Sequence, residues 1–101
     1  MNRKKKIEYL PIAVTDLEEI FEYICEDDPS SASSILDTFD KSIRKLEVFP
    51  ELGIVPKDDG LRFLGYRMLI IGNYLVFYVI REDIVEIRRV IHGSRKYSFL
   101  L

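Results

Sequence analysis

Three apolar runs separated by two very short breaks constrain the fold of this chain more than any other feature. The runs cover residues 66–71, 74–80 and 84–91, and the breaks are Gly72-Asn73 and residues 81–83. The runs are rich in Val, Ile, Leu, Tyr and Phe, which favour β-strands. Because a parallel crossover needs about a dozen residues or more, breaks this short join only antiparallel neighbours. The sequence therefore predicts a three-stranded antiparallel meander.

The predicted middle strand has no polar face, which indicates that both of its sides are covered. One face carries Tyr74, Val76, Tyr78 and Ile80, and the other carries Leu75, Phe77 and Val79. Strict alternation in the last strand would place Glu86, Arg88, Val90 and His92 on one face, and Val85, Ile87, Arg89 and Ile91 on the other. Arginines in a sheet that is otherwise apolar are a local conflict, and such conflicts tend to mark binding sites.

The N-terminal half predicts a short strand followed by two helices. The strand covers residues 7–12 and ends near Pro11. A capping box from Thr15 to Glu18 predicts the start of the first helix. Asp28 followed by Pro29 predicts the cap of the second, which runs to about residue 48. Since so few residues separate the helices, they must form an antiparallel hairpin.

The order strand–helix–helix–strand–strand–strand predicts an α+β fold with the helical hairpin packed on one face of a mainly antiparallel sheet. With 101 residues, the chain is expected to form a single domain over residues 1–101. No apolar run approaches the roughly 20 residues that span a bilayer. The N-terminal lysines are not followed by the apolar stretch of a signal peptide, so we expect a cytoplasmic protein without membrane contact.

Cysteine and histidine are too scarce to indicate a metal centre. Cys25 and His92 are the only residues of their types and lie far apart in the sequence, so no metal site is expected. No glycine-rich loop indicates a phosphate-bearing cofactor, and we expect none. A single cysteine cannot form an internal disulfide, which agrees with a reducing compartment.

The net charge of −2 hides a strong asymmetry along the chain. Residues 11–60 hold four Lys or Arg against thirteen Asp or Glu, whereas residues 61–101 hold seven against three. One interpretation is an acidic, solvated helix face. The other is that the basic part of the chain faces an anionic partner.

Three segments in this order resemble the RelE/ParE superfamily of type II toxins. They are DLEEIFEYICEDDPSSA, FPELG, and GNYLVFYVI followed by VIHGSRKY, and the resemblance covers about residues 7–97. It implies a small toxin encoded beside an antitoxin that wraps it through a segment ordered on binding. RelE-like members cleave messenger RNA in the ribosomal A site without a metal, whereas ParE-like members inhibit DNA gyrase.

Departures from the RelE pattern favour the ParE-like branch. Leu75 stands where RelE-like nucleases carry a strand arginine, and Tyr66 and Met68 stand where they carry lysines. The arginine that follows the strand-end glycine is retained as Arg95, and Tyr97 is closer to it than in RelE. The HGSR ending is common among ParE-like sequences.

The resemblance and the residue chemistry together name candidate site residues. The nuclease alternative would use His92, Arg95 and Tyr97 for acid–base chemistry and phosphate binding. The ParE-like interpretation expects an acidic antitoxin segment, and a cellular target, at cationic side chains displayed on one surface. These are Arg62, Arg67, Arg88, Arg95 and Lys96. A third alternative is an inactive homologue that acts only as a binding module.

Overall fold

The computed structural model describes residues 3–94 of the chain. Its elements are β1 (Lys6–Tyr9), α1 (Pro11–Asp27), α2 (Pro29–Arg44), a 3-10 turn (Lys45–Glu47), α3 (Asp59–Phe63), β2 (Tyr66–Ile71), β3 (Tyr74–Arg81) and β4 (Ile84–His92). The predicted order of one strand, two helices and three strands is confirmed. The short helix α3 was not predicted from the sequence. None of the helices in residues 3–94 is long and apolar enough to cross a membrane.

The four strands form one sheet in the order β1-β4-β3-β2. Strands β2, β3 and β4 form the predicted antiparallel meander, and β1 pairs with β4 in parallel. The tight β2–β3 turn uses Gly72, whose φ of +57° is unfavourable for residues with a side chain. This topology makes β1 and β2 the edges of the sheet and buries β3 and β4 between them.

The two long helices begin at prolines. Helix α1 starts at Pro11, so the predicted capping box at Thr15 is wrong: the Thr15 hydroxyl lies inside the helix and donates to the Pro11 carbonyl at 3.2 Å. Proline is well suited to a first helical position because its φ is already helical and its missing N–H costs nothing there. The predicted start of α2 is confirmed, since the Asp28 carboxylate accepts from the Ser30 N–H at 3.2 Å.

Both faces of the sheet are covered, as the apolar middle strand indicated. The helical hairpin covers one face, where both helices and all three meander strands contribute buried side chains. These are Ala13, Phe39, Ile43, Leu46, Ile71, Val76, Tyr78, Val85, Ile87 and Val90. The second face carries a smaller cluster beneath α3, formed by Leu61, Tyr66, Phe77, Val79 and Ile91.

A β-bulge in β4 breaks the predicted alternation of its side chains. Phe77 pairs with Arg89 and Tyr78 pairs with Ile87, so Arg88 is an extra residue without an opposite partner on β3. After the bulge Val90 joins the helix-facing cluster and Ile91 the other one. The predicted assignment of Val90 and Ile91 to faces is therefore wrong, because one inserted residue reverses a period-two pattern.

The carboxylate of Asp16 fastens α1 to the end of β4 that β1 does not reach. It accepts two hydrogen bonds from the Arg89 guanidinium, at 2.8 and 3.0 Å, and one from the Val90 N–H at 3.0 Å. Both side chains are largely buried, with 10% of Asp16 and 16% of Arg89 exposed. Hydrogen bonding with Asp16 raises the pKa of Arg89 above its ordinary value. Asp16 thus accepts a hydrogen bond from the backbone of β4 where no strand lies beside it.

The hydroxyl of Tyr78 holds the loop between the 3-10 turn and α3 against the sheet. It donates to the Pro50 carbonyl and accepts from the Gly53 N–H, both at 2.8 Å. The approach is so close that a Cβ on Gly53 would lie 2.6 Å from the Tyr78 hydroxyl oxygen. This close contact explains why the FPELG segment carries a glycine at position 53.

Tyr78→Phe should lower the free energy of unfolding by about 2 kcal/mol, because it leaves the buried Gly53 N–H without its acceptor. Chemical denaturation measures the change. Tyr23→Phe, at a ring that is 72% exposed, is the matched control and should change stability by less than about 0.5 kcal/mol. Equal effects of the two variants would contradict the role of the Tyr78 hydroxyl.

Tyr78→Phe should also change how the free energy of unfolding depends on pH in alkaline solution. Burial raises the pKa of Tyr78 above its ordinary value. A group with a raised folded-state pKa contributes stability that is fully present below about pH 10 and is lost as the pH rises through the folded-state value. Above about pH 10, Tyr78→Phe should therefore lose less stability with rising pH than the wild-type chain.

Asp16→Ala should lower the free energy of unfolding by about 3 kcal/mol, because it leaves a largely buried guanidinium and the Val90 N–H without their acceptor. Asp16→Asn retains one acceptor oxygen and should cost less. Glu18→Gln, at an exposed position on the same helix, should be nearly neutral. Thermal and urea denaturation measure all three, and a neutral Asp16→Ala would show that α1 is held by apolar packing alone.

Candidate interaction surface

Arg67, one of the predicted binding residues, is engaged within the chain. Its guanidinium donates to the Gly53 carbonyl at 2.9 Å and to the Glu51 carbonyl at 3.3 Å. Arg67 and Tyr78 are opposite each other on β2 and β3, so both side chains hold the same loop. In this arrangement Arg67 determines the position of the loop, and its charge is only partly open to a partner.

Arg88 projects from the bulge over the second face of the sheet. Its guanidinium carbon lies 5.6 Å from the centre of the Tyr66 ring, and its Nε and Nη2 atoms each lie 2.9 Å from Glu86 Oε1. Partial burial opposes the charge, but hydrogen bonds with Tyr66 and Glu86 outweigh it and raise the pKa of Arg88 above its ordinary value. Arg88 is therefore paired with a carboxylate of its own strand.

Arg62 is the most exposed predicted cation within residues 3–94. It lies on α3, 59% of its side chain is exposed, and its nearest carboxylate is that of Asp59 at 3.8 Å. A pair this long and exposed leaves the guanidinium available to another molecule. Arg95, Lys96 and Tyr97, which were also predicted as site residues, lie outside the described residues.

His92 lies at the end of β4 on the side that faces α1. Its ring meets that of Tyr74 edge to face, with the ring centres 5.4 Å apart. Its Nδ1 atom lies 2.7 Å from the Ser94 hydroxyl and accepts from the Ser94 N–H at 3.2 Å. These contacts fix the ring in a tight turn and leave the histidine exposed.

A groove of about 490 Å³ separates the C-terminal half of α1 from the ends of β3 and β4, and we call it the α1–β4 groove. Its principal lining residues are Glu19, Ile20, Tyr23, Tyr74, Ile91 and His92. The Asp16 carboxylate also lines the groove, where it is bound to Arg89. The surface around the histidine is therefore aromatic and acidic, and the predicted cations Arg62, Arg67 and Arg88 are not among its lining residues.

Sequence reasoning missed Asp16 and Glu19 as residues of this surface. The sequence interpretation assigned the acidic residues in the range 11–60 to a solvated helix face and did not separate Asp16 from them. The spacing of Asp16, three and four residues from Ala13 and Ile20, places it on the buried stripe, which was a usable signal.

No group of His, Cys, Asp and Glu within residues 3–94 is arranged to hold a metal ion.

The same fold occurs in solved structures of other proteins, including the three that follow. The chain superposes on a structure titled as the chromosomal ParDE system from P. aeruginosa with a TM-score of 0.75 and 14% identity, covering 90% of this chain and 98% of that one. It superposes on a chain of the RelBE2 toxin–antitoxin complex from Mycobacterium tuberculosis with a TM-score of 0.61 and 20% identity, covering 88% and 98%. A conserved hypothetical protein from Helicobacter pylori gives 0.57 and 19%, covering 92% and 99%.

The sequence itself identifies the family. None of the curated proteins with which it was compared matches it. Residues 7–97, however, match the family described as the ParE toxin of the type II toxin–antitoxin system parDE. This match confirms the resemblance to the RelE/ParE superfamily and covers nearly the whole chain. The protein belongs to the ParE toxin family of type II toxin–antitoxin systems.

Proposed function

We propose that this toxin is neutralised by an antitoxin encoded beside it, and that the free toxin acts in the cytoplasm by binding DNA gyrase. Membership of the ParE family supports this proposal. Two structural neighbours come from the toxin–antitoxin systems ParDE and RelBE2, which supports an antitoxin partner for this chain as well. The proposed activity is binding, with no chemical step.

The observation that carries the proposal is the acidic surroundings of His92. A ribonuclease needs cations around the scissile phosphate, together with an acid and a base. The groove beside His92 instead carries the exposed carboxylate of Glu19, which would repel a phosphate, and an Asp16 carboxylate whose charge Arg89 balances. Arg67 and Arg88 are held by loop carbonyls and by Glu86. This arrangement favours binding to a protein target over cleavage of RNA.

Among the predicted binding residues, we propose direct contact with a partner for Arg62, Arg95 and Lys96. Arg62 is exposed and weakly paired, and the other two directly follow the turn that ends β4. For Arg67 and Arg88 we propose a positioning role, because each guanidinium already holds a neighbouring part of the chain. Loss of either should affect stability at least as strongly as binding.

Purified toxin should block supercoiling by DNA gyrase and leave messenger RNA intact at the ribosomal A site in a translation extract. Arg95→Ala should reduce both growth arrest and gyrase inhibition at least tenfold, because it removes a proposed contact. Arg44→Ala is the matched control, since Arg44 is an exposed helix arginine paired with Asp40 on the same helix. Its activity should equal that of the wild-type chain.

His92→Ala separates the two candidate activities. It should retain gyrase inhibition, since the histidine has no chemical role in the proposed mechanism. A-site cleavage that His92→Ala abolishes, together with undisturbed supercoiling, would establish the RelE-like nuclease instead. A folded chain that neither arrests growth nor acts on either target would be an inactive homologue.

Co-expression of the adjacent reading frame should restore growth to cells that produce the toxin.

A further inference from the structure

Helix α1 has an extreme charge imbalance. Its seventeen residues include six carboxylates and no lysine or arginine. Asp16 is bound to Arg89, and Glu19 is exposed and lies within electrostatic reach of Arg89, although it forms no salt bridge within residues 3–94. Of the six carboxylates, Asp16 and Glu19 line the α1–β4 groove, and because Arg89 balances the charge of Asp16, the negative charge that the groove presents is that of Glu19.

Aromatic rings accompany this negative potential. Tyr23 is 72% exposed, unusually high for a large ring, and it lines the groove one helical turn from Glu19. Tyr74 and His92 form the opposite wall, their rings packed edge to face. Tyrosine faces attract a guanidinium or ammonium group, and a nearby carboxylate adds to that attraction. Carboxylates and ring faces together complement a cationic side chain on an aliphatic stem.

We propose that the α1–β4 groove binds a basic segment of the antitoxin, with an arginine or lysine placed between Glu19 and the ring of Tyr23. This inference rests on the proposed neutralisation by an antitoxin and specifies where and how it binds. The charge of the segment is opposite to that expected from the sequence, which predicted an acidic antitoxin at displayed arginines. The aliphatic stem of the bound residue packs on Ile20, which is partly exposed and lines the same groove.

Charge complementarity selects this occupant over a nucleic acid. RNA and DNA would bring phosphates next to Glu19, which is unfavourable at any separation shorter than the Debye length of about 8 Å in physiological salt. A basic protein segment gains from the same field. Its binding should therefore weaken as the salt concentration rises.

The first test uses N-acetyl-arginine amide as a probe of the groove in the full-length toxin. In an NMR titration its addition should shift the resonances of Tyr23, Tyr74 and His92 in a saturable way, with a Kd on the order of millimolar. Glu19→Gln should raise that Kd about threefold. Glu26→Gln, an exposed carboxylate of the same helix that does not line the groove, is the matched control and should leave it unchanged.

Three outcomes of this titration would overturn the proposal. N-acetyl-citrulline amide has the same shape without the charge, and equal shifts with it would show that the groove selects apolar stems. An equal loss of affinity in Glu26→Gln would show a general field effect of α1. A rise in probe affinity after Arg95→Gln and Lys96→Gln would identify the chain's own C-terminal residues as the occupant.

The second test uses the complex with the protein encoded beside the toxin. Glu19→Lys should raise its Kd at least tenfold, by more at low than at high salt, whereas Glu26→Lys should change it little. Unchanged affinity in Glu19→Lys would refute the proposed site even if that protein neutralises the toxin. Failure of the proposed function is distinguishable, because it would appear as absent neutralisation or absent gyrase inhibition with the probe still bound.

Discussion

The contact of Asp16 with the end of β4 determines the shape of the α1–β4 groove. Strand β1 pairs with β4 only as far as Ile87, and beyond that point the backbone of β4 needs another partner. The Asp16 carboxylate satisfies the Val90 N–H and the Arg89 guanidinium together. Because Asp16 is on α1, the bonds also hold the helix beside the strand, and the α1–β4 groove is the space left between them.

Most of the arginines on the described part of the sheet hold the fold together. Arg67 supports the loop that Tyr78 also binds, Arg88 lies on Tyr66 and Glu86, and Arg89 is bound to Asp16. A partly buried guanidinium needs acceptors, and the chain supplies them from loop carbonyls and nearby carboxylates. Consequently, the cationic surface expected from the sequence is represented within residues 3–94 chiefly by Arg62.

The resulting distribution of charge connects the fold with the proposed activity. The exposed charge of α1 is negative, and its Glu19 carboxylate faces the end of β4 where His92 lies. Such a surface discourages nucleic acid and favours a basic protein segment. A toxin that acts by binding a protein target needs no cluster of cations around its histidine. The acidic middle of the chain supplies the carboxylates on which the proposed binding of a basic segment depends.

The sequence by itself determined the elements of this protein: the meander, the helical hairpin, the cap at Asp28 and the family. Those features depend on local spacing, turn residues and apolar periodicity, which can be recognised in the sequence without knowledge of long-range contacts. The tertiary structure alone decided the bulge at Arg88, the partners of Asp16 and the pairing of each arginine. A single inserted residue redirects every later side chain of a strand, and an ion pair between residues 73 positions apart leaves no local pattern. The charge that each side chain presents to a partner depends on those long-range pairings.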